Sequence, residues 1–185
     1  MIGRTIAELA PGDHAEIVRR VEAGDVASFV DAVGDGNPVH GAPGYAATTP
    51  FGEPIAPGIF TAGLISAVIG TRLPGPGAIY LSQNLRFTRP VKVGDTITAR
   101  VEVVEVLRER NRLRLGTVCT NQRGEEVLAG EAWVMPSPAR VVYEARGREA
   151  AGAAAPLATL ALQPWRWAAE AMSLWAALLT SAARR

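Results

Sequence analysis

Cysteine is nearly absent from this chain. Its 185 residues include one, Cys119. That excludes an internal disulfide and any zinc site built on several thiolates. A single thiol suits a reducing compartment, and the expected location is the cytoplasm. Histidine is almost as scarce, with two copies. An excess of one charge is also missing, since 19 basic residues face 18 acidic ones for a net +1. Such a balance offers no field for steering onto nucleic acid, and no motif that reads RNA or DNA appears. The opening MIGRTIAELAPGDH has no apolar core behind a basic segment, so no signal peptide is expected. No uninterrupted apolar run reaches the ~20 residues that a membrane-spanning helix needs.

What is present is enough to fold. Hydrophobic residues make up 48% and charged ones 20%, so a sizeable core can form in one domain with an appendage. PGDHAEIVRRV reads as a turn into a first strand. In AGDVASFVDAV, Val26, Phe29, Val30 and Val33 fall at helical spacing, with Asp25 placed to cap the start. GDGNPVHGAPG and PFGEPIAPG are loops by composition. GIFTAGLISAVIGTRL is apolar nearly all round, which predicts a buried helix, with Pro57 in its first turn and Gly70 at its far end.

After LPGPG the period becomes two. Leu81, Leu85 and Phe87 alternate with Ser82, Asn84 and Arg86. Ile97 to Val103 and Leu113 to Leu115 alternate in the same way, and VLAGEAWVM supplies a fourth strand. Joined by VKVGD and NQRGEE, these predict an antiparallel meander with one buried face. The expected fold class is α+β, a curved antiparallel sheet wrapped around one central buried helix.

From Pro136 the character changes. The expected division is a domain over 1–136, a linker over 137–155 and a C-terminal amphipathic helix over 156–185. The linker is small, charged and bounded by proline. The last segment carries Arg166, Glu170, Ser173, Thr180 and Arg184 on one stripe broken by Ala177, and is otherwise apolar with Trp165, Trp167 and Trp175. Such stripes are more often packed against protein. The sharper alternative is contact with a polyester-granule or membrane surface.

The chemistry centres on GDGNPVH, residues 34–40. Asp35 and His40 are titratable groups on one short irregular segment that Pro38 stiffens. Converging on one water molecule, they make a general acid/base pair. The bland reading is an ordinary turn, since Asp, Gly, Asn and Pro are turn formers. The helix that begins at Gly58 adds free N–H groups and a positive dipole end able to stabilise a developing oxyanion. Together they suit addition of water across a double bond conjugated to a carbonyl, or its reversal. Elsewhere the bland readings are preferred. Cys119 is core by its strand parity, and His14 is a solvated strand-edge residue. Arg86, Arg89 and Lys92 are the wet face of a strand more readily than a phosphate site. Ser66 reads as helix packing with its hydroxyl bonded to the preceding turn.

GDGNPVH, then YAATTPFGEPIAPGIFTAGLISAVIG, then LPGPGAIYLSQNLRFTRPVKVGDTITARVEV resembles the MaoC-like hydratase/dehydratase family. Within it the chain looks most like the (R)-specific enoyl-CoA hydratases that feed polyhydroxyalkanoate synthesis. The resemblance runs from about residue 8 to 136. It implies a hot-dog fold and a homodimer. It implies Asp35 and His40 as the catalytic pair, the Gly58 N–H as oxyanion donor, and Asn37 and Ser66 as supporting or substrate-binding residues. The substrate would be an acyl-CoA thioester, with no metal and no cofactor. Many members carry histidine where this chain has Pro57. The alternatives are a (3R)-hydroxyacyl-carrier-protein dehydratase, a hot-dog thioesterase and a non-catalytic acyl-thioester-binding subunit.

Overall fold

The period-two segments fold as strands, and their order in the sheet decides what each one buries. The structure, a computed structural model, describes residues 1–144. Its elements are β1 (Ile2–Gly3), β2 (His14–Arg20), α1 (Ala23–Val33), α2 (Pro43–Ala46), α3 (Gly58–Thr71), β3 (Ile79–Phe87), β4 (Thr96–Leu107), β5 (Arg112–Thr120), β6 (Glu126–Met135) and β7 (Val141–Val142). Five of the strands form an antiparallel sheet in the order β2-β4-β5-β6-β3. The inner positions of β4 and β5, from Ile97 to Val103 and from Leu113 to Cys119, are fully or almost fully buried. Thr61, Ile65, Val68 and Ile69 of α3 pack onto that face. Phe29 of α1 meets Phe60 of α3 edge to face, with ring centroids 5.8 Å apart. The antiparallel sheet around a central helix agrees with the expected hot-dog architecture.

Several details differ from expectation. The meander holds only from β4 to β6. VKVGD leads from β3 into β4, yet these strands are not neighbours, because β3 pairs with β6 at the far edge. The strict alternation expected in β3 is broken by a register shift between Tyr80 and Ser82. That shift puts Leu81 beside Trp133 and Arg112 on the outer side of the sheet, not with Leu85 and Phe87. α3 is not buried all round, because Gly58, Ile59, Gly63, Ser66 and Gly70 lie on an exposed stripe. The sheet covers one side of the helix, and nothing among the described residues covers the other. Asp25 sits inside α1. Glu22 is the N-cap, and Asp25 Oδ2 accepts its N–H at 3.3 Å.

Past Met135 the chain stays ordered against the domain. Ser137 is buried, and Val141–Val142 pairs with Ile2–Gly3 inside the stretch read as linker. The rest of that linker, the helix expected over 156–185 and its granule contact lie outside the described residues.

Candidate active site

The loop that carries Asp35 and His40 is built on the end of α1. Gly34 takes the left-handed conformation (φ 70°) that favours glycine, and the Asp35 N–H returns to the Val30 carbonyl at 3.0 Å. Asp35 Oδ1 accepts the Asn37 N–H at 3.1 Å, and Asn37 Oδ1 accepts the Val39 N–H at 3.2 Å. Two successive side-chain turns therefore wind the chain, and the His40 N–H closes onto the Asn37 carbonyl at 3.2 Å. This leaves Asp35 Oδ2 facing His40 Nε2 at 3.5 Å. The imidazole is 10% exposed and the carboxylate 35%, so both are sheltered yet reachable.

The other ring nitrogen is occupied. His40 Nδ1 lies 2.7 Å from the Ile55 carbonyl. A carbonyl only accepts, so Nδ1 carries the hydrogen and Nε2 of the neutral ring is the open, basic nitrogen. Ile55 is itself tied down. Its N–H donates to the Val39 carbonyl at 3.3 Å, and the Ala56 N–H donates to the Val91 carbonyl at 2.8 Å. The tautomer and the ring position thus depend on a backbone oxygen that no side-chain pattern could have revealed.

Three residues beyond Ile55, α3 begins. Pro57 is its N-cap, and its carbonyl accepts the Phe60 N–H at 3.0 Å. The Gly58 and Ile59 N–H groups, at the start of the first turn, have no carbonyl partner in the helix, so α3 directs a positive end outward from Gly58. The absence of side-chain bulk at Gly58 has a visible use. A Cβ there would meet the Phe87 ring at 2.8 Å.

The predicted residues do not share one cavity. His40 lines a cavity of about 540 Å³ with Val26, Val30, Pro43, Pro54 and Glu53. Gly58 lines another, of about 530 Å³, with Phe51, Ile59, Thr61, Phe87 and Arg89. The segment from Pro54 to Ala56 separates them. Asn37 holds the loop through its own side chain. Ser66 lies on the exposed stripe of α3 and lines neither cavity. Arg89 is on the rim of the Gly58 cavity, with its guanidinium donating to the Glu126 carbonyl at 2.8 Å. Lys92 pairs with Glu53. Among the described residues no cluster of His, Cys, Asp or Glu is arranged to hold a metal ion.

A MaoC like domain matches residues 10–124, and the chain belongs to that family. It is 53% identical over 121 residues to the 3-hydroxybutyryl-CoA dehydratase of Methylorubrum extorquens, covering 64% of this chain and 76% of that one. It is 44% identical over 133 residues to the (R)-specific enoyl-CoA hydratase of Rhodospirillum rubrum, covering 72% and 91%. Among solved structures, the R-hydratase PhaJ1 from Pseudomonas aeruginosa superposes with a TM-score of 0.74 at 43% identity, over 85% of this chain and 97% of that one.

Proposed function

We propose that this chain is an (R)-specific enoyl-CoA hydratase, which adds water reversibly to trans-2-enoyl-CoA to give (3R)-3-hydroxyacyl-CoA. The single observation that carries this is the Asp35–His40 pair. Its basic nitrogen is left open by the Ile55 carbonyl, and it stands just before a helix end that can hold an oxyanion. The thioester crosses the Pro54–Ala56 segment, with its carbonyl oxygen toward Gly58 and its β-carbon toward His40. Water held by Asp35 and Nε2 gives its oxygen to the β-carbon. One of its protons passes to the pair and returns to the α-carbon, while the other remains on the new hydroxyl. The negative charge on the carbonyl oxygen between these events rests on the first-turn N–H groups. The sum is one water added with no net oxidation, so the reaction as proposed needs no redox cofactor.

Relatives at 53% and 44% identity are named for CoA thioesters, which favours coenzyme A over a carrier protein as the acyl donor. We place the enzyme in the cytoplasm as a supplier of (3R)-3-hydroxyacyl-CoA to polyhydroxyalkanoate synthesis. The one cysteine is buried and unpaired, as a reducing compartment would leave it. We also propose a homodimer joined through β3. Among the described residues its outer edge has no partner strand, and Ile79, Leu81 and Phe87 are 42–51% exposed.

The test follows the absorbance of the conjugated thioester on mixing with crotonyl-CoA. Asp35→Asn and His40→Gln should each slow its loss by at least ~100-fold if the side chains move protons. Rates equal to wild type in both variants would end this reading.

A further inference from the structure

One hydroxyl of α3 sits deep in the fold without a partner. Thr61 is 2% exposed and lies on the face of the helix that packs on the sheet. Its Oγ1 makes no hydrogen bond among the described residues. Yet no side-chain nitrogen or oxygen that is fully shut off from solvent is left unsatisfied. The Thr61 oxygen therefore keeps an opening, and that opening is the Gly58 cavity, which Thr61 lines. Thr71, at the far end of the same helix, shows the usual alternative. Its hydroxyl donates back to the Ala67 carbonyl at 2.6 Å. The matching acceptor for Thr61 is the Pro57 carbonyl, which takes the Phe60 N–H instead.

The other polar side chains of that cavity are engaged. The Thr88 hydroxyl donates to the Glu126 carbonyl at 2.7 Å, and the Arg89 guanidinium on the rim donates to the same oxygen at 2.8 Å. Phe51, Phe87 and Val127 present only carbon. Position also favours Thr61. A helical side chain leans toward the N-terminus, so the one at 61 lies over the turn that starts at Gly58. The Gly58 N–H and the Thr61 hydroxyl thus serve one turn, and glycine puts no side chain between them.

We propose that the Thr61 hydroxyl is a second oxyanion donor, which binds the thioester carbonyl oxygen beside the Gly58 N–H. The proposal rests on the hydratase reading above. In that pose the carbonyl oxygen is already directed at Gly58, so Thr61 asks for no new placement of the substrate. The hydroxyl hydrogen can rotate onto the oxygen, whereas the backbone N–H is fixed. When water adds at the β-carbon, negative charge gathers on the carbonyl oxygen and the bond from Thr61 strengthens. When the α-carbon takes its proton, the charge leaves and the bond weakens. Thr61 gives up no proton at any step. The carbon walls of the cavity make its donation count for more than it would in water.

The test compares the full chain with Thr61→Val and Thr61→Ala, which lose the hydroxyl, and with Thr61→Ser, which keeps it. On crotonyl-CoA, kcat should fall about 100-fold in Thr61→Val and Thr61→Ala, with little change in KM. Thr61→Ser should stay within about threefold of wild type. A second measurement reads the carbonyl itself. Butyryl-CoA has no double bond to take up water, so it binds without reacting. With an isotopic label at its thioester carbonyl, difference infrared spectra should show the stretch lowered on binding to wild type and Thr61→Ser. In Thr61→Val and Thr61→Ala it should return toward the value of the free thioester. Equal carbonyl stretches in wild type and both hydroxyl-free variants overturn the proposal. So does a loss of kcat shared equally by Thr61→Ser, which would show that the site needs the packing of threonine and not its hydroxyl. Wild-type turnover with unchanged rates in Thr61→Val and Thr61→Ala sinks this inference alone, whereas wild type inert on crotonyl-CoA sinks the hydratase reading with it.

Discussion

β3 and β5 are both nine residues long, lie in one sheet and carry alternating apolar side chains. β5 buries every second residue, while β3 has no residue in the buried class. Their difference is position. β5 has a strand on each side and α3 above it. β3 closes the sheet at one edge, where its last residue, Phe87, lies against Gly58 at the N-terminus of α3. The same kind of pattern therefore yields core in one place and, in the other, a face that the described residues leave exposed. β5 is fully occupied by the fold, whereas β3 and the adjoining stripe of α3 are left uncovered by the described residues.

The sharpest way to break that division is to remove matching carbon from both strands. Leu115 is fully buried on β5, and Leu115→Ala should destabilise the protein by about 2–5 kcal/mol in urea unfolding. Ile79→Lys with Leu81→Lys should leave the monomer within about 0.5 kcal/mol of wild type, because both side chains are already exposed. The same pair of lysines should abolish the dimer in sedimentation, since like charges would face each other across a two-fold edge. A dimer that persists would move the interface elsewhere.

How much of this was legible depended on the same difference. The parity of β4 and β5, the core position of Cys119 and the pairing of Asp35 with His40 all follow from local spacing. Local spacing sufficed there because each of those residues is surrounded by its own sheet or its own turn. β3 was readable as a strand but not as an edge, because its place is set by long-range pairing with β6, which its own residues do not specify. The outward turn of Leu81 needs one extra residue against β6, which no alternation rule can place. The exposed stripe of α3 was misjudged for a related reason. An apolar helix signals burial, but not whether this chain or another buries it. The Ile55 carbonyl, which settles the His40 tautomer, leaves no mark in a side-chain pattern.

A smaller effect is expected where the two regions touch. Gly58→Ala places a Cβ 2.8 Å from the Phe87 ring. That ring is 49% exposed and can swing away, so the loss of stability should be only about 1 kcal/mol, the low end for added bulk. Activity should fall further, roughly tenfold, because the displaced ring and the first turn of α3 frame the proposed oxyanion site. Combining Gly58→Ala with Phe87→Leu should recover part of both losses. Strict additivity of the two changes would mean that the ring and the helix end act independently.

The smallest expected effect uses the one native thiol as a gauge of the same contrast. Cys119 is fully buried on β5, with Sγ directed at the Thr61 carbonyl, and burial pushes its pKa from 9.0 to about 12. Disulfide reagents attack the thiolate, so Cys119 should stay unlabelled in the folded protein at mildly alkaline pH. A cysteine introduced as Leu81→Cys, exposed on β3, should label at once. The shift also fixes a sign for stability. Above pH 9 the unfolded chain releases this proton while the folded one keeps it, so stability falls as pH rises from about 9 toward 12. At pH ~9.5 the loss should amount to just under ~1 kcal/mol, and Cys119→Ala should remove that part of the alkaline slope while leaving the slope at neutral pH as it was. Equal labelling of the two thiols would mean that β5 opens as readily as β3, and the division between an employed strand and a waiting one would no longer hold.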